Sequence, residues 1–310
     1  MIDLSGRVAI VTGAGGGLGR EHAILLARRG AKVVVNDLGG SVTGEGASAT
    51  AAEKVVDEIR GFGGEALANA ASVTDAAAIE KMVATALAQW GRVDILVNNA
   101  GILRDKSFAK MSAEEFRLVI DVHLMGAFNC TKAVWDHMRK QSYGRIVMTT
   151  SSSGLYGNFG QANYGAAKLA LVGMMQTLGL EGAKYDIRVN CLAPTAGTRM
   201  LDGLLQEDMM KALEPAAVSP GLLALVGEQA PNRTILCAGA GSFERAYLTL
   251  TRGIHVGLHD RAAEEIAGNW GAISDRSGEL IPESGGAQGQ LELEKLRLAT
   301  EATRGAADHA

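Results

Sequence analysis

Tyr164 and Lys168 stand four residues apart in Gln161-Ala162-Asn163-Tyr164-Gly165-Ala166-Ala167-Lys168, with Ser151 thirteen residues before the tyrosine. On a helix, residues at this spacing share a face, so the phenol and the ammonium point the same way. A cation beside a phenol favours the phenolate and lowers a pKa that starts near ~10. A tyrosine tuned in this way can exchange a proton with an alcohol or a carbonyl at neutral pH. A serine hydroxyl at the end of a neighbouring strand can hold the same substrate oxygen, and spacing favours Ser151 over its neighbours Ser152 and Ser153. Taken alone, Tyr-x-x-x-Lys reads better as an exposed helix face whose two residues do no chemistry. A cofactor site elsewhere in the chain separates the two readings.

Such a site begins at the amino end. Arg-Val-Ala-Ile-Val at 7–11 is a short β-branched run, followed at once by Thr12-Gly13-Ala14-Gly15-Gly16-Gly17-Leu18-Gly19 and a helical pattern to Arg29, with Gly30 as its stop. Strand, glycine turn and helix together form the setting of a dinucleotide fingerprint. Gly13 permits the tight turn. Gly17 and Gly19, flanking Leu18, let backbone approach a pyrophosphate seated on the helix N-terminus. The second strand, Lys32-Val33-Val34-Val35-Asn36-Asp37, ends in an acid eighteen residues after Gly19. An aspartate there accepts hydrogen bonds from ribose hydroxyls and repels a 2′-phosphate, and no Arg or Lys lies in 14–16 or 38–40. NAD is therefore expected in preference to NADP. Ile95-Leu96-Val97-Asn98-Asn99-Ala100-Gly101 is a buried strand entering a polar turn, at the sheet end where ligands sit in this architecture.

Together the Thr-Gly-x-x-x-Gly-x-Gly turn, Asn98-Asn99-Ala100-Gly101, Ser151 and Tyr164-x-x-x-Lys168 resemble the short-chain dehydrogenase/reductase family, in family order and spacing. Asn36-Asp37-Leu38-Gly39-Gly40, Asn98 to Arg104, Tyr156 to Tyr164, Pro194 to Met200 and Ala262 to Trp270 are similar to one branch of it. That branch comprises the (3R)-hydroxyacyl-CoA dehydrogenase units of type 2 multifunctional enzymes and their bacterial single-domain relatives. The resemblance implies hydride transfer between nicotinamide and a secondary alcohol carbon. In it Tyr164 is the general base, Ser151 the holder of the substrate oxygen, and Lys168 the group that lowers the tyrosine pKa and binds the nicotinamide ribose. Asn99, Ala100, Gly101, Ala196 and Thr198 are implied to position the cofactor, and Ser72-Val73 to border its adenine. The Ser72 hydroxyl either accepts from the adenine amine or caps the next turn. His123 replaces the asparagine of the family's catalytic tetrad and reads as a relay member or a packed helix residue. The implied substrate is an acyl-CoA or a steroid-like molecule, with Arg104, Lys106 and Lys110 as candidate cations for CoA phosphates. One alternative is a 17β-hydroxysteroid or other secondary-alcohol dehydrogenase that does not use CoA. Another is a catalytically silent NAD-binding scaffold, whose expected loss of Tyr or Lys is absent.

Length and composition fit this reading. The chain has 310 residues, 47% hydrophobic, with formal net charge −4, which gives no reason to expect a nucleic-acid partner. No apolar run approaches the ~20 residues of a membrane span. Met1 to Ser5 lacks signal-peptide regions, and Asp308-His309-Ala310 is no peroxisomal address. Cys130, Cys191 and Cys237 are scattered in apolar stretches and read as core thiols of a reducing compartment, so a cytoplasmic location is expected. No metal site is expected.

Seven strand-like runs alternate with helical patterns (Val8–Val11, Val33–Val35, Ala66–Ala70, Ile95–Val97, Ile146–Thr150, Ile187–Leu192, Thr234–Ala238). That alternation predicts a Rossmann-type, doubly wound parallel sheet with helices on both faces. The dehydrogenase core is expected over 1–241, with a C-terminal extension over 242–310 that packs on the core or a partner subunit. The resemblance implies a substrate lid near 200–229. It also implies that the helices expected near Ala113–Arg139 and Gln161–Lys184 are subunit faces of a homodimer or homotetramer. Residues 275–290 read as a loop, Leu291–Ala302 as a short charged helix and Thr303–Ala310 as frayed.

Overall fold

The apolar β-branched runs become parallel strands buried on both faces. The structure is a computed structural model that describes residues 1–40, 43, 46, 50–197 and 212–307. Strands β1 (Val8–Thr12), β2 (Lys32–Asn36), β3 (Ala66–Asn69), β4 (Ile95–Asn98), β5 (Gly144–Thr149), β6 (Ile187–Thr195), β7 (Ile235–Gly239) and β8 (Ser242–Ala246) form one sheet. Their order is β3-β2-β1-β4-β5-β6-β7-β8, so the direction of winding reverses between β1 and β4. Pairing is parallel except at β7–β8.

Period-two alternation along each strand divides the core. Ala9, Val11, Ile95, Val97 and Val147 face one apolar cluster, and Val8, Ile10, Leu96, Ile146 and Met148 face the other. The first cluster is closed by α1 (Gly17–Arg28), α2 (Thr50–Gly61) and α8 (Ser219–Val226). The second is closed by α3 (Ala76–Trp90), α5 (Gly126–Gln141) and α7 (Ala162–Gly182). Two further helices are α4 (Ala113–Ile120) and the short α6 (Ser152–Tyr156).

Two departures from the sequence reading matter. The core sheet does not stop at Gly241: Ala240 and Gly241 both take positive φ, 49° and 76°, and turn the chain back so that β8 pairs antiparallel with β7. Positive φ at both central residues is what a tight hairpin requires. The long helix expected from Ala113 to Arg139 is interrupted by a π-turn at Asp121–Met125. Such turns insert a residue into the helical ladder and recur at functional sites.

The chain divides into two compact units, Met1–Ala246 and Tyr247–Ala310. The second holds an isolated Leu250–Leu280 bridge and helices α9 (Ala262–Gly268), α10 (Trp270–Ile273) and α11 (Gly285–Ala307). Helix α11 starts six residues before the expected Leu291 and runs through Thr303 to Ala307, so part of the expected loop and of the expected frayed end is helical. Its glycines argued for a loop, but propensity is a weak prior, and Gln288–Glu292 and Arg297–Glu301 side-chain bonds support the helix. Among the described residues no helix is long and apolar enough to cross a membrane.

Candidate active site

The carboxyl ends of β1, β4, β5 and β6 bring the sequence-predicted residues to one edge of the sheet. At the β1–β4 reversal the glycine turn leads into α1, whose N-cap Gly16 supplies no side-chain bond and whose first turn carries no acid. Its leading N–H groups are thus available to an anion. A Cβ on Gly19 would lie 2.2 Å from the Gly13 carbonyl oxygen, so this glycine lets the helix close on the turn rather than serving only the phosphate approach. Leu18 packs on the apolar core.

Thr12, which the motif contains but which carried no assigned role, proves to be the stitch of this turn. Its hydroxyl accepts from the N–H of Asn99 at 3.0 Å and of Ala100 at 3.1 Å. In return the Asn99 amide donates to the carbonyls of Thr12 and Gly13 at 3.0 and 3.1 Å. Asn99 therefore shapes the glycine turn directly.

At the end of β2 the Asp37 carboxylate is fixed by two backbone donors, Gly15 N–H and Gly39 N–H, each at 2.7 Å. A Cβ at Gly15 would stand 2.8 Å from that carboxylate, so the acid closes against the glycine turn. Of the two readings of Ser72, capping is what the structure displays: its Oγ accepts from Thr74 N–H at 3.3 Å. The Val73 carbonyl accepts from Asn129 at 2.9 Å. An open anion-binding turn, a fixed acid at the second strand and the stitched Asn99 loop fit an adenine dinucleotide.

Ser151 follows β5 as the N-cap of α6, with its Oγ accepting from Ser153 N–H at 3.2 Å. Tyr164 and Lys168 lie in the first two turns of α7, and Tyr164 is hydrogen-bonded to Ser151. The Lys168 ammonium donates to the Thr149 carbonyl at 2.6 Å and stands 5.5 Å from the Tyr164 ring centroid. The electrostatics differ from the sequence expectation. Burial raises the Tyr164 pKa above the usual phenol value, the Ser151 bond works against this, and Asp105 adds to it. Lys168 does not reverse the rise, and burial depresses its own pKa to about 7.

The π-turn aims His123 inward. Its Nε2 lies 3.1 Å from Ile102 N and 2.8 Å from Ile102 O, the tautomer deciding which bond is made. The Nδ1 atom is buried and has no hydrogen-bond partner among the described residues. Burial first, then Lys168, pushes its pKa down to about 3. A Cβ on Gly101 would strike His123 Cε1 at 2.3 Å, so the loop after β4 lies directly on the ring.

That loop is also tied to the start of α7: Lys106 N–H to the Gly160 carbonyl at 2.9 Å, Gln161 to Asp105 at 2.7 Å, and Asn163 to the Arg104 carbonyl at 3.0 Å. Of the candidate rim cations, Lys106 is paired with Glu115 at 2.6 Å. After β6, Ala196 is buried, while Thr198 lies outside the described residues together with 200–211 of the expected lid.

Known proteins are similar to this chain in sequence and fold. Peroxisomal multifunctional enzyme type 2 of Mus musculus is 49% identical over 282 residues, 90% of this chain and 38% of that protein. A short-chain type dehydrogenase/reductase of Mycobacterium tuberculosis is 48% identical over 276 residues, 89% of this chain and 96% of that one. The solved full-length peroxisomal multifunctional enzyme type 2 of Drosophila melanogaster superposes with a TM-score of 0.78 at 37% identity, covering 96% of this chain and 51% of that one. The chain thus spans about half or less of these two type 2 multifunctional enzymes. A family model described as short chain dehydrogenase matches residues 7–208, a stretch that holds the glycine turn, Ser151, Tyr164 and Lys168 together. By that match and by its Rossmann-type sheet, the chain is an oxidoreductase with a nicotinamide cofactor and belongs to the short-chain dehydrogenase family.

Proposed function

We propose that the chain oxidises a (3R)-3-hydroxyacyl-CoA to the 3-oxoacyl-CoA, a step of fatty-acid or steroid side-chain β-oxidation, with NAD as oxidant. The carrying observation is the 49% identity to peroxisomal multifunctional enzyme type 2 across 90% of the chain, joined to an intact Ser-Tyr-Lys site. The preference for NAD rests on the Asp37 carboxylate, held facing the glycine turn by Gly15 and Gly39.

Tyr164 takes the hydroxyl proton of the substrate alcohol. Ser151, already bonded to the phenol, holds the substrate oxygen and stabilises the charge that develops on it. Lys168, with its ammonium over the Tyr164 ring, supplies positive charge to the phenolate and a donor to the ribose of the cofactor. Asn99, Ala100, Gly101 and Ala196 would hold the nicotinamide half of the cofactor, and Gly13, Gly17, Leu18, Gly19, Ser72 and Val73 the adenine and phosphate half. NAD held there would supply the acceptor for the hydride of the alcohol carbon. His123 acts through the loop it holds and through Tyr164, as an uncharged ring.

The exposed Leu118, Met125, Phe128, Leu169 and Leu180 support α4, the π-turn, α5 and α7 as subunit contacts of a homodimer or homotetramer. A cytoplasmic location completes the reading.

The neutralised Lys106 favours a second reading, a hydroxysteroid or other secondary alcohol without CoA. Following NAD+ reduction with (3R)-3-hydroxyacyl-CoAs of several chain lengths, a steroid-side-chain thioester, the matching free acids and estradiol separates the two. Turnover confined to the thioesters supports the proposal. Equal turnover of the free acids, or turnover of estradiol alone, sinks it. NAD binding without turnover of any of them would leave the scaffold reading.

A further inference from the structure

Two hydrogen bonds of opposite direction clasp the end of β5 to α7. The Lys168 ammonium donates to the carbonyl of Thr149, and the hydroxyl of Thr150 donates to the carbonyl of Lys168, both at 2.6 Å. Thr150 is 1% exposed and Lys168 3%. The residue after Thr150 is Ser151. The residue one helical turn before Lys168 is Tyr164. The clasp therefore ties one of the three reacting side chains, Lys168, to the strand end that carries Ser151. Its closeness is enforced by Gly154, where a Cβ would lie 2.8 Å from the Lys168 Cβ. The Thr150 N–H is separately used, donating to Leu192 on β6 at 2.8 Å, which pins the backbone and leaves the side chain to face the helix.

We propose that Thr150 is a positioning residue for this site: its hydroxyl sets the height of α7 against β5, and so the placement of Tyr164 and Lys168 relative to Ser151. The Lys168 carbonyl lies inside α7 and keeps its intrahelical donor when the hydroxyl is removed, so folding does not depend on the bond. A shift of α7 along β5 does alter the site. It lengthens the Lys168–Thr149 bond and the Tyr164–Ser151 bond together. Loss of an acceptor for the ammonium favours uncharged lysine, which withdraws positive charge from the phenol and makes the phenolate form at higher pH.

The test uses the full chain and the pair Thr150→Val, which keeps the β-branched shape without the hydroxyl, and Thr150→Ser, which keeps the hydroxyl. The inference rests on the dehydrogenase reading for its kinetic arm and is independent of it for its spectroscopic arm. T150V is expected to lower kcat about 10- to 100-fold, the scale of a 1 Å misplacement, and to move the rising limb of the pH–rate profile upward. Its Tm stays near wild type. T150S restores both rate and limb. In [13C]tyrosine-labelled protein without substrate, Tyr164, assigned by its absence in Tyr164→Phe, titrates at higher pH in T150V and at the wild-type pH in T150S. A T150V protein with an unmoved Tyr164 titration, whatever its Tm, overturns the proposal, as does a T150S protein as impaired as T150V. Should T150V not accumulate as folded protein, Thr150→Ala carries the same comparison. Wild-type protein that turns over none of the alcohols refutes the dehydrogenase reading, while the Tyr164 titration still decides the role of Thr150.

Discussion

The imidazole of His123 stands edge-on to the ring of Tyr164, with centroids 5.2 Å apart and planes at 89°. The same imidazole is bonded through Nε2 to the Ile102 peptide, so one ring braces both the catalytic phenol and the loop after β4. Its pKa near 3 keeps it uncharged throughout the physiological range. His123→Ala is expected to lower kcat about 10- to 100-fold by displacing what it braces. The pH–rate profile between pH 5 and 7 keeps its wild-type shape, because the His123 ring does not titrate there. A wild-type limb near pH 6.5 that disappears in the variant would make His123 a titrating participant instead.

Removing the phenolic oxygen tests the proton transfer itself. Tyr164→Phe retains the ring that packs on His123 but lacks the atom bonded to Ser151. Turnover should fall by about 10²- to 10⁴-fold, the range of a general acid–base group, while NAD binding, read by protein fluorescence, persists. Near-normal turnover would remove Tyr164 from the mechanism.

Asp37 is predicted to set the choice of dinucleotide. Asp37→Ala removes the acceptor that Gly15 and Gly39 hold in place. A hydrogen bond to a charged group is worth about 1.5–3 kcal/mol, so the ratio of kcat/KM for NAD over NADP should narrow by about 10- to 100-fold. An unchanged ratio in steady-state assays with both cofactors would place the discrimination elsewhere.

Acid should weaken the fold through two buried imidazoles. His22 is bonded to Ser219 at 2.8 Å, its Nε2 is orphaned among the described residues, and burial pushes its pKa down to about 3, as it does for His123. Both ordinarily titrate at 6.5. Below that value the unfolded chain binds protons that the folded one refuses, so stability is full above about pH 6.5 and declines as pH falls toward 3. Each histidine adds a slope of about 1.4 kcal/mol per pH unit in that window. Urea unfolding at pH 7, 6 and 5 measures it. His22→Asn should flatten the slope, and a wild-type stability constant from pH 7 to 5 would show that these rings protonate in the folded state.

Gly154 is a steric test of the same helix contact. An alanine there meets the Lys168 Cβ at 2.8 Å and the Leu169 nitrogen at 2.9 Å. Gly154→Ala is expected to cost about 1–3 kcal/mol of stability through overpacking and to reduce kcat with it. Unchanged Tm and rate would mean that α6 moves aside at no cost.

The sequence by itself determined what depends on neighbours along the chain. The β-branched run 7–11, the glycines that follow it and the helix to Arg28 form one local unit, and Tyr164 and Lys168 share a face because helical geometry requires it. Alternating runs of this kind also imply the parallel sheet, since each buried strand must return through a helix. What only the tertiary structure decided depends on contacts far apart in sequence. The hydroxyls of Thr12 and Thr150 gain their roles from partners 87 and 18 residues away. The π-turn that directs His123 at Ile102 is hard to see in the apolar pattern of 113–139, because one inserted residue only offsets the phase by about 100° while each flanking stretch keeps its own period. Strand β8 forms because β7 offers it an edge. The direction of the Tyr164 pKa likewise came from burial. Spacing places a cation beside a phenol, but only the surrounding atoms fix how much solvent both groups lose, and here desolvation raises the pKa of one and lowers that of the other.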